Sequence, residues 1–304
     1  MTTPVKINDK TLSLTNLNKE LWPEQGIEKY HIIKYYIDIS PYMLPHLVNR
    51  PLTFKRFPEG IHKPGFYQKN IPQGAPSWIK TFPYTHSTRV IKYILATGPE
   101  TLAWLGNQGC LEIHTWLSSI YKINNPDFAV FDLDPPQNMS FLQLCEVALL
   151  LKEVLDSRGY NSYAKTSGKR GIQVYLPLKP IYSYKQVREF TAKMFQEVYK
   201  KEPSLTTMVR DKTKRGSKIY LDFGQNALGK TIIAPYSPRP LKDAPVSTPL
   251  EWQELYSLSF SPSSFSPSSF TIDNILQRLK EKGDLFYGVL TEKQNILPRD
   301  YTAF

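Results

Sequence analysis

Cysteine is nearly absent from this chain: 304 residues carry two, Cys110 and Cys145, both inside apolar helical patterns. There is neither a CxxC pair nor a Cys/His cluster, which argues against a disulfide framework and structural zinc and for two buried free thiols. No apolar run approaches the roughly 18 residues a spanning helix needs, and the start, Met1-Thr-Thr-Pro-Val-Lys, has no apolar signal core. No membrane partner and a cytoplasmic location are therefore expected. Acidic residues are also in deficit, with Asp+Glu 27 against Lys+Arg 38, a formal net charge of +11 and a sequence pI near 9.4. A polyanionic partner such as nucleic acid suits that balance better than an anionic membrane surface.

What is present suffices for a full core: 41% of residues are apolar, and the length suits one large domain or two closely packed ones. Val5 and Ile7 alternate, as do Leu12 and Leu14, which predicts a hairpin turning at Asn8-Asp9-Lys10. A helix is predicted from Glu28 to Ile39, broken by Pro41. A strand is predicted over Leu52–Phe57, and a helix capped by Thr97 runs to Gln108. Ser140 caps a helix to Arg158, and Ser183 caps another that ends before Pro203. His114, alone on its strand, reads as a hydrogen-bonded structural residue. Lys212–Lys218 reads as a solvated charge run. The five-residue duplication Phe-Ser-Pro-Ser-Ser before Phe270 reads as a flexible insertion, Ile272–Leu279 as a last helix, and the end from Gly288 as loosely attached.

Three stretches carry chemistry. Phe128-Ala129-Val130-Phe131-Asp132-Leu133-Asp134-Pro135-Pro136 is a buried strand that ends in two prolines, which cannot donate to a ladder. Alternation turns Asp132 and Asp134 to one face and Leu133 to the other. Two carboxylates at a strand end repel unless a hard divalent ion relieves them, and Mg²⁺ is typically held by one or two carboxylates plus substrate phosphates; a solvated Asp-x-Asp turn is the other reading. Lys165-Thr166-Ser167-Gly168-Lys169-Arg170-Gly171 is a turn in which glycine lets backbone N–H groups approach a phosphate while Ser167, Lys169 and Arg170 add donors. Its spacing is not that of a Walker A loop. Gln173 follows on the next strand, where it could reach the same ligand; a plain basic hairpin turn explains the stretch equally well. Ile219–Phe223 is an apolar strand with one acid, Asp222, which needs a partner if buried. Lys230 and Arg239 follow as further donors. Near the N-terminal end, Phe66 and Tyr67 beside Lys69 suit stacking plus phosphate contact, or simply anchor a loop.

Together FDLDPP, TSGKRGIQVYLPL and YLDFGQNALGKTIIAPYSPRP resemble, in order, the three motifs of the polymerase domain of bacterial and archaeal ligase D, in the archaeo-eukaryotic primase superfamily. The flanks TNLNKELWP, LATGPETLAWLGNQ and APVSTPLEW extend the likeness over nearly the whole chain. Many members carry His where this chain has Gln173. The resemblance implies an α+β primase-like fold, a mixed central β-sheet flanked by helices with a smaller packed N-terminal module. The organisation expected is a single domain over 1–304: a module over 1–50, a catalytic core over 51–250, and a C-terminal helix and tail over 251–304 with the low-complexity insertion at 259–270. No ligase or nuclease segment accompanies the motifs, so a stand-alone form is expected.

It further implies Asp132, Asp134 and Asp222 as catalytic ligands of two Mg²⁺ or Mn²⁺ ions. Ser167, Gly168, Lys169, Gly171, Gln173, Lys230 and Arg239 would surround the incoming NTP or dNTP. Lys19 and Lys29 would hold the 5′-phosphate of the downstream strand at a DNA gap, with Phe66, Tyr67 and Lys69 on the template. The implied activity is template-directed attack of a primer 3′-hydroxyl on the α-phosphorus, with ribonucleotides preferred, filling gaps in non-homologous end joining beside a Ku-type protein and an ATP-dependent DNA ligase, at the nucleoid. Two other classes compete on the residues alone. A metal-dependent glycosyltransferase also uses Asp-x-Asp, but it explains neither Asp222 nor the basic excess. A non-catalytic DNA-end-binding scaffold would make the acidic residues structural.

Overall fold

The computed structural model describes residues 2–260 and 266–300. The chain forms two compact units that alternate along the sequence. One takes the chain up to Trp116 together with Thr231–Val246 and Thr271–Glu281; the other takes Leu117–Lys230, Ser247 to Phe270, and the chain from Lys282 on. Four later segments thus return to a unit begun earlier, two to each. Such returns leave no mark in composition.

The first unit opens with the expected hairpin, Thr2–Ile7 against Lys10–Thr15, with Asn8 at φ 55° in the turn. Its main sheet is antiparallel and runs Thr231–Ile233, Cys110–Trp116, Leu52–Arg56, Val90–Ile94, Thr81–Thr85, with Phe66–Gln68 also paired to Leu52–Arg56. Helix Lys29–Asp38 is followed at once by a second, Ser40–Leu47. Pro41 therefore opens a helix rather than only ending one, because the first turn has no use for the missing N–H. Gly98, not Thr97, caps Pro99–Asn107.

The second unit is built on a six-stranded mixed sheet in the order Thr206–Thr207, Ile219–Asp222, Phe128–Asp134, Ile172–Pro177, Tyr163–Thr166, Pro249–Leu250, with one parallel pair at the Thr206 edge. Ser140 and Ser183 each close a capping box with a glutamine three residues on, which starts Phe141–Asp156 and Tyr184–Lys201 where expected. The leucines and valines of the first helix, with Phe190, Met194, Phe195 and Val198 of the second, bury Ala129, Phe131, Leu133, Ile172, Val174 and Leu221 from one face of the sheet. Alternation then turns Asp132, Asp134, Gln173, Lys165 and Asp222 to the opposite face.

The segment from Gly288 was expected to be loose, but its described part, to Asp300, is fastened: Val289 and Ile296 are buried, Gln294 pairs with Asn161, and Asp300 accepts from Tyr160 at 2.6 Å. Helix Tyr287–Thr291 follows Ile275–Lys282, so the latter is not the last. Of the Ser/Pro duplication, residues 261–265 lie outside the described residues. Both cysteines are free and buried, as expected. Among the described residues, no helix is long and apolar enough to cross a membrane.

Candidate active site

Register puts four polar side chains in one row across the second unit's sheet. Asp132 stands opposite Asp222 on one neighbouring strand and opposite Gln173 on the other, and Gln173 in turn stands opposite Lys165. Gln173 Nε2 donates to Asp132 Oδ1 at 3.1 Å, and Lys165 Nζ donates to Gln173 Oε1 at 2.6 Å. Burial pushes the Asp132 carboxyl up to about 7; the charges of Asp222 and Asp134 push the same way, against the Gln173 hydrogen bond and the Lys165 ammonium.

Asp134 lies one pleat further along, opposite Tyr220. Its Oδ2 accepts from Arg215 at 3.2 Å, and the Arg215 guanidinium lies 3.7 Å from the centre of the Tyr220 ring. Lys212–Lys218 is therefore more than a solvated run, since one of its cations returns to the acidic strand. Asp222 closes its own turn by accepting from Gly224 N–H at 2.8 Å. Among the described residues no three His, Cys, Asp or Glu side chains stand together as a ready ligand set.

The glycine loop joins strands Tyr163–Thr166 and Ile172–Pro177. Ser167 Oγ accepts the N–H groups of Gly171 at 3.0 Å and Lys169 at 3.3 Å, which holds the loop as a tight turn. Gly168 has φ 68°. A Cβ on Gly171 would lie 2.7 Å from the Leu133 carbonyl oxygen, so that position must be glycine for the loop to sit against the acidic strand. Lys169 is exposed at the turn. Lys230 is exposed as well. Gly224–Thr231 does match the Walker A spacing, but it leads into the strand Thr231–Ile233 rather than a helix, so the phosphate-binding context of that motif is missing.

Arg239 belongs to the first unit. There it lies 3.6 Å from Glu112, which also bonds His114 at 2.9 Å, and its Nε is buried without a hydrogen-bond partner. Burial raises the Glu112 carboxyl, but the hydrogen bond from His114 and the charges of Arg239 and Lys55 outweigh it and hold the group below its usual range. His114 touches the Tyr67 ring edge-on, with ring centres 5.7 Å apart. Phe66 and Tyr67 are exposed on the edge strand Phe66–Gln68, with Arg56 and Lys55 respectively over their faces and Lys69 exposed beside them.

Lys19 and Lys29, ten positions apart, do meet. They line a cavity of about 200 Å³ with Arg56, Asn16, Asn107 and Gln108. Lys29 Nζ donates to the Thr15 carbonyl at 2.6 Å, and Lys19 pairs with Glu59 at 2.7 Å. Burial, then the like charges of Lys19 and Arg56, bring the Lys29 ammonium down to about 8.

This geometry has close relatives. The model of the LigD primase-polymerase domain matches residues 28–286. The chain belongs to that family. It is 39% identical over 285 residues to the bifunctional non-homologous end joining protein LigD of Bacillus subtilis, covering 93% of this chain and 45% of that protein. It is 33% identical over 274 residues to the multifunctional non-homologous end joining protein LigD of Mycolicibacterium smegmatis, covering 90% and 35%. The chain thus spans less than half the length of these LigD relatives. Among solved structures, the polymerase domain from Mycobacterium tuberculosis ligase D in complex with DNA superposes with a TM-score of 0.84 at 29% identity, over 93% of this chain and 99% of that one. The α+β primase-like fold expected from the three motifs is the LigD polymerase-domain fold found here.

Sequence reasoning passed over Lys165, Arg215 and Arg56. Lys165 had one available signal: it alternates in step with Tyr163 on a strand whose other face is apolar. Arg215 had none, being one cation in a run of several.

Proposed function

We propose that the chain is a template-directed nucleotidyltransferase of the primase-polymerase type that extends a DNA primer 3′-hydroxyl at a gap carrying a downstream 5′-phosphate. The observation that carries the reading is the cross-strand pairing of Asp132 with Asp222 beside Asp134, in a member of the LigD family. Asp132, Asp134 and Asp222 would hold Mg²⁺ or Mn²⁺, two ions in the complete complex. The donor set fits: the groups are hard oxygens, Asp132 is raised by burial and by its neighbours' charge, and Mg²⁺ draws its remaining ligands from substrate phosphates and water, so no full protein cage is required. Bound there, the metal would supply activation of the 3′-hydroxyl and neutralisation of phosphate charge.

The chain's own residues do the rest. Ser167, Gly168, Lys169 and Gly171 offer a turn with donors for the triphosphate, Gln173 an amide, and Lys230 positive charge that offsets what develops on phosphate oxygens. The Lys19–Lys29–Arg56 cavity is a compact cationic site suited to a terminal phosphate, and the exposed Phe66 and Tyr67 offer faces on which template bases stack. The names of the LigD relatives place those proteins in non-homologous end joining. For this chain that supports gap filling at breaks; the preference for ribonucleotides and work beside a Ku-type protein and an ATP-dependent ligase rest on the motif resemblance alone.

The test is extension of a gapped, 5′-phosphorylated DNA with NTPs and dNTPs, each in Mg²⁺ and in Mn²⁺. Extension by the wild type, and none by Asp132→Ala while DNA binding persists, is expected. Salt-sensitive DNA binding without extension in either metal would leave only a scaffold.

A further inference from the structure

Lys165 is fully buried, with no measurable exposure, although it is a lysine in the middle of a strand. An ammonium in such a place loses its water, and an unbranched apolar side chain would fill the space at less cost. What the lysine provides is direction. It has three donors and no acceptor, so the side-chain amide of Gln173 must turn its oxygen toward Nζ, at 2.6 Å. The amide nitrogen is thereby left facing Asp132, to whose Oδ1 it donates at 3.1 Å. A carboxylate only accepts, so the two ends of the amide match their neighbours in one orientation alone. The lysine is itself fixed from the far side. Ser247 Oγ accepts from Nζ at 2.6 Å and in turn donates to the Thr166 carbonyl at 2.8 Å.

We propose that Lys165 is a positioning residue that locks the Gln173 amide, and through it the Asp132 carboxylate, in the orientation that leaves Oδ2 of Asp132 open to a divalent cation. This rests on Asp132 being a metal ligand, as inferred above. Groups that orient ligands without touching the ion commonly change metal affinity by 10- to 100-fold when removed. Lys165 stands two side chains from the ion in the same chain of hydrogen bonds, and it acts only through Gln173.

The experiment is Mn²⁺ titration of the full chain without nucleotide, read from the electron paramagnetic resonance signal of the free aqua ion. Circular dichroism and thermal melting establish that each variant is folded. Lys165→Met and Gln173→Met are each expected to weaken Mn²⁺ binding by about tenfold. The double variant is expected to be no weaker than either single one, because both break the same link. A lysine that served stability alone would lower the melting temperature and leave the Mn²⁺ affinity of the folded protein unchanged, or its loss would multiply with that of Gln173→Met; either result overturns the proposal. If Lys165→Met does not fold, Gln173→Met decides alone: wild-type affinity there removes the link through which the lysine acts. Asp132→Ala separates the two readings. If it abolishes Mn²⁺ binding while Lys165→Met and Gln173→Met bind as the wild type, the relay is wrong and the site stands. If Asp132→Ala itself binds as the wild type, both fall.

Discussion

Asp132 and Asp222 face each other directly across two antiparallel strands, ninety positions apart in sequence. Like charges in that relation oppose folding, and here one of them is also desolvated. A fold that keeps such a pair holds it for something other than stability.

Asp132→Asn is therefore expected to raise the metal-free melting temperature at pH 8 by about 2 °C, corresponding to roughly 1 kcal/mol. The size of the effect depends on pH. The Asp132 pKa in the folded protein, about 7, lies above the usual carboxylate value. Its unfavourable contribution is thus complete above 7 and absent well below 4, and the advantage of the amide should shrink between pH 8 and pH 5. Adding Mn²⁺ should reverse the order, raising the melting temperature of the wild type but not of the variant. Thermal melts with chelator and with Mn²⁺, at both pH values, check all three statements.

Gly171→Ala tests how closely the glycine loop rests on the acidic strand. The new methyl would meet backbone, the Leu133 carbonyl at 2.7 Å, rather than the end of a flexible side chain. The contact cannot be relieved without separating Gly171 from Leu133 or distorting the Ser167 turn. A destabilisation of about 1–3 kcal/mol is expected, together with weaker triphosphate binding, measurable by melting and by nucleotide titration.

How far the site was legible from sequence follows from what kind of contact makes it. The Phe128–Asp134 strand, its alternation, and the starts of the helices at Ser140 and Ser183 are local patterns of burial and capping, and they were readable. That Asp132 meets Asp222 is a matter of register between distant strands, for which spacing offers nothing; only the three ordered motifs brought those residues together. Lys165 was passed over because it was grouped with the cations of the glycine turn, and its place on the preceding strand shows only once its partners Gln173 and Ser247 are known. Arg215 was hidden among its charged neighbours, and Pro41 was read as a stop when it serves as a start. The tail looked loose because Gln294 and Asp300 are anchored by residues more than a hundred positions earlier.

The Lys19–Lys29 cavity yields a pH dependence whose direction is fixed by crowding of like charge. Burial together with Lys19 and Arg56 brings Lys29 to about 8, against a usual lysine value of 10.5, so the empty cavity loses a positive charge near pH 8 rather than above 10. Affinity for DNA with a 5′-phosphate at the gap, relative to the same DNA without one, should be greatest near pH 7 and fall as pH rises toward 9. Lys29→Met should flatten that profile and reduce the preference at pH 7. The same shift predicts a stability change of opposite sense in the unliganded protein. Between about 8 and 10.5 the unfolded chain binds the proton that the folded chain has lost, so stability contributed by this group rises with pH across that window. Binding curves for the two DNAs at pH 7, 8 and 9, on wild type and Lys29→Met, decide the matter. A preference unchanged across pH in the wild type would mean that Lys29 does not face the phosphate.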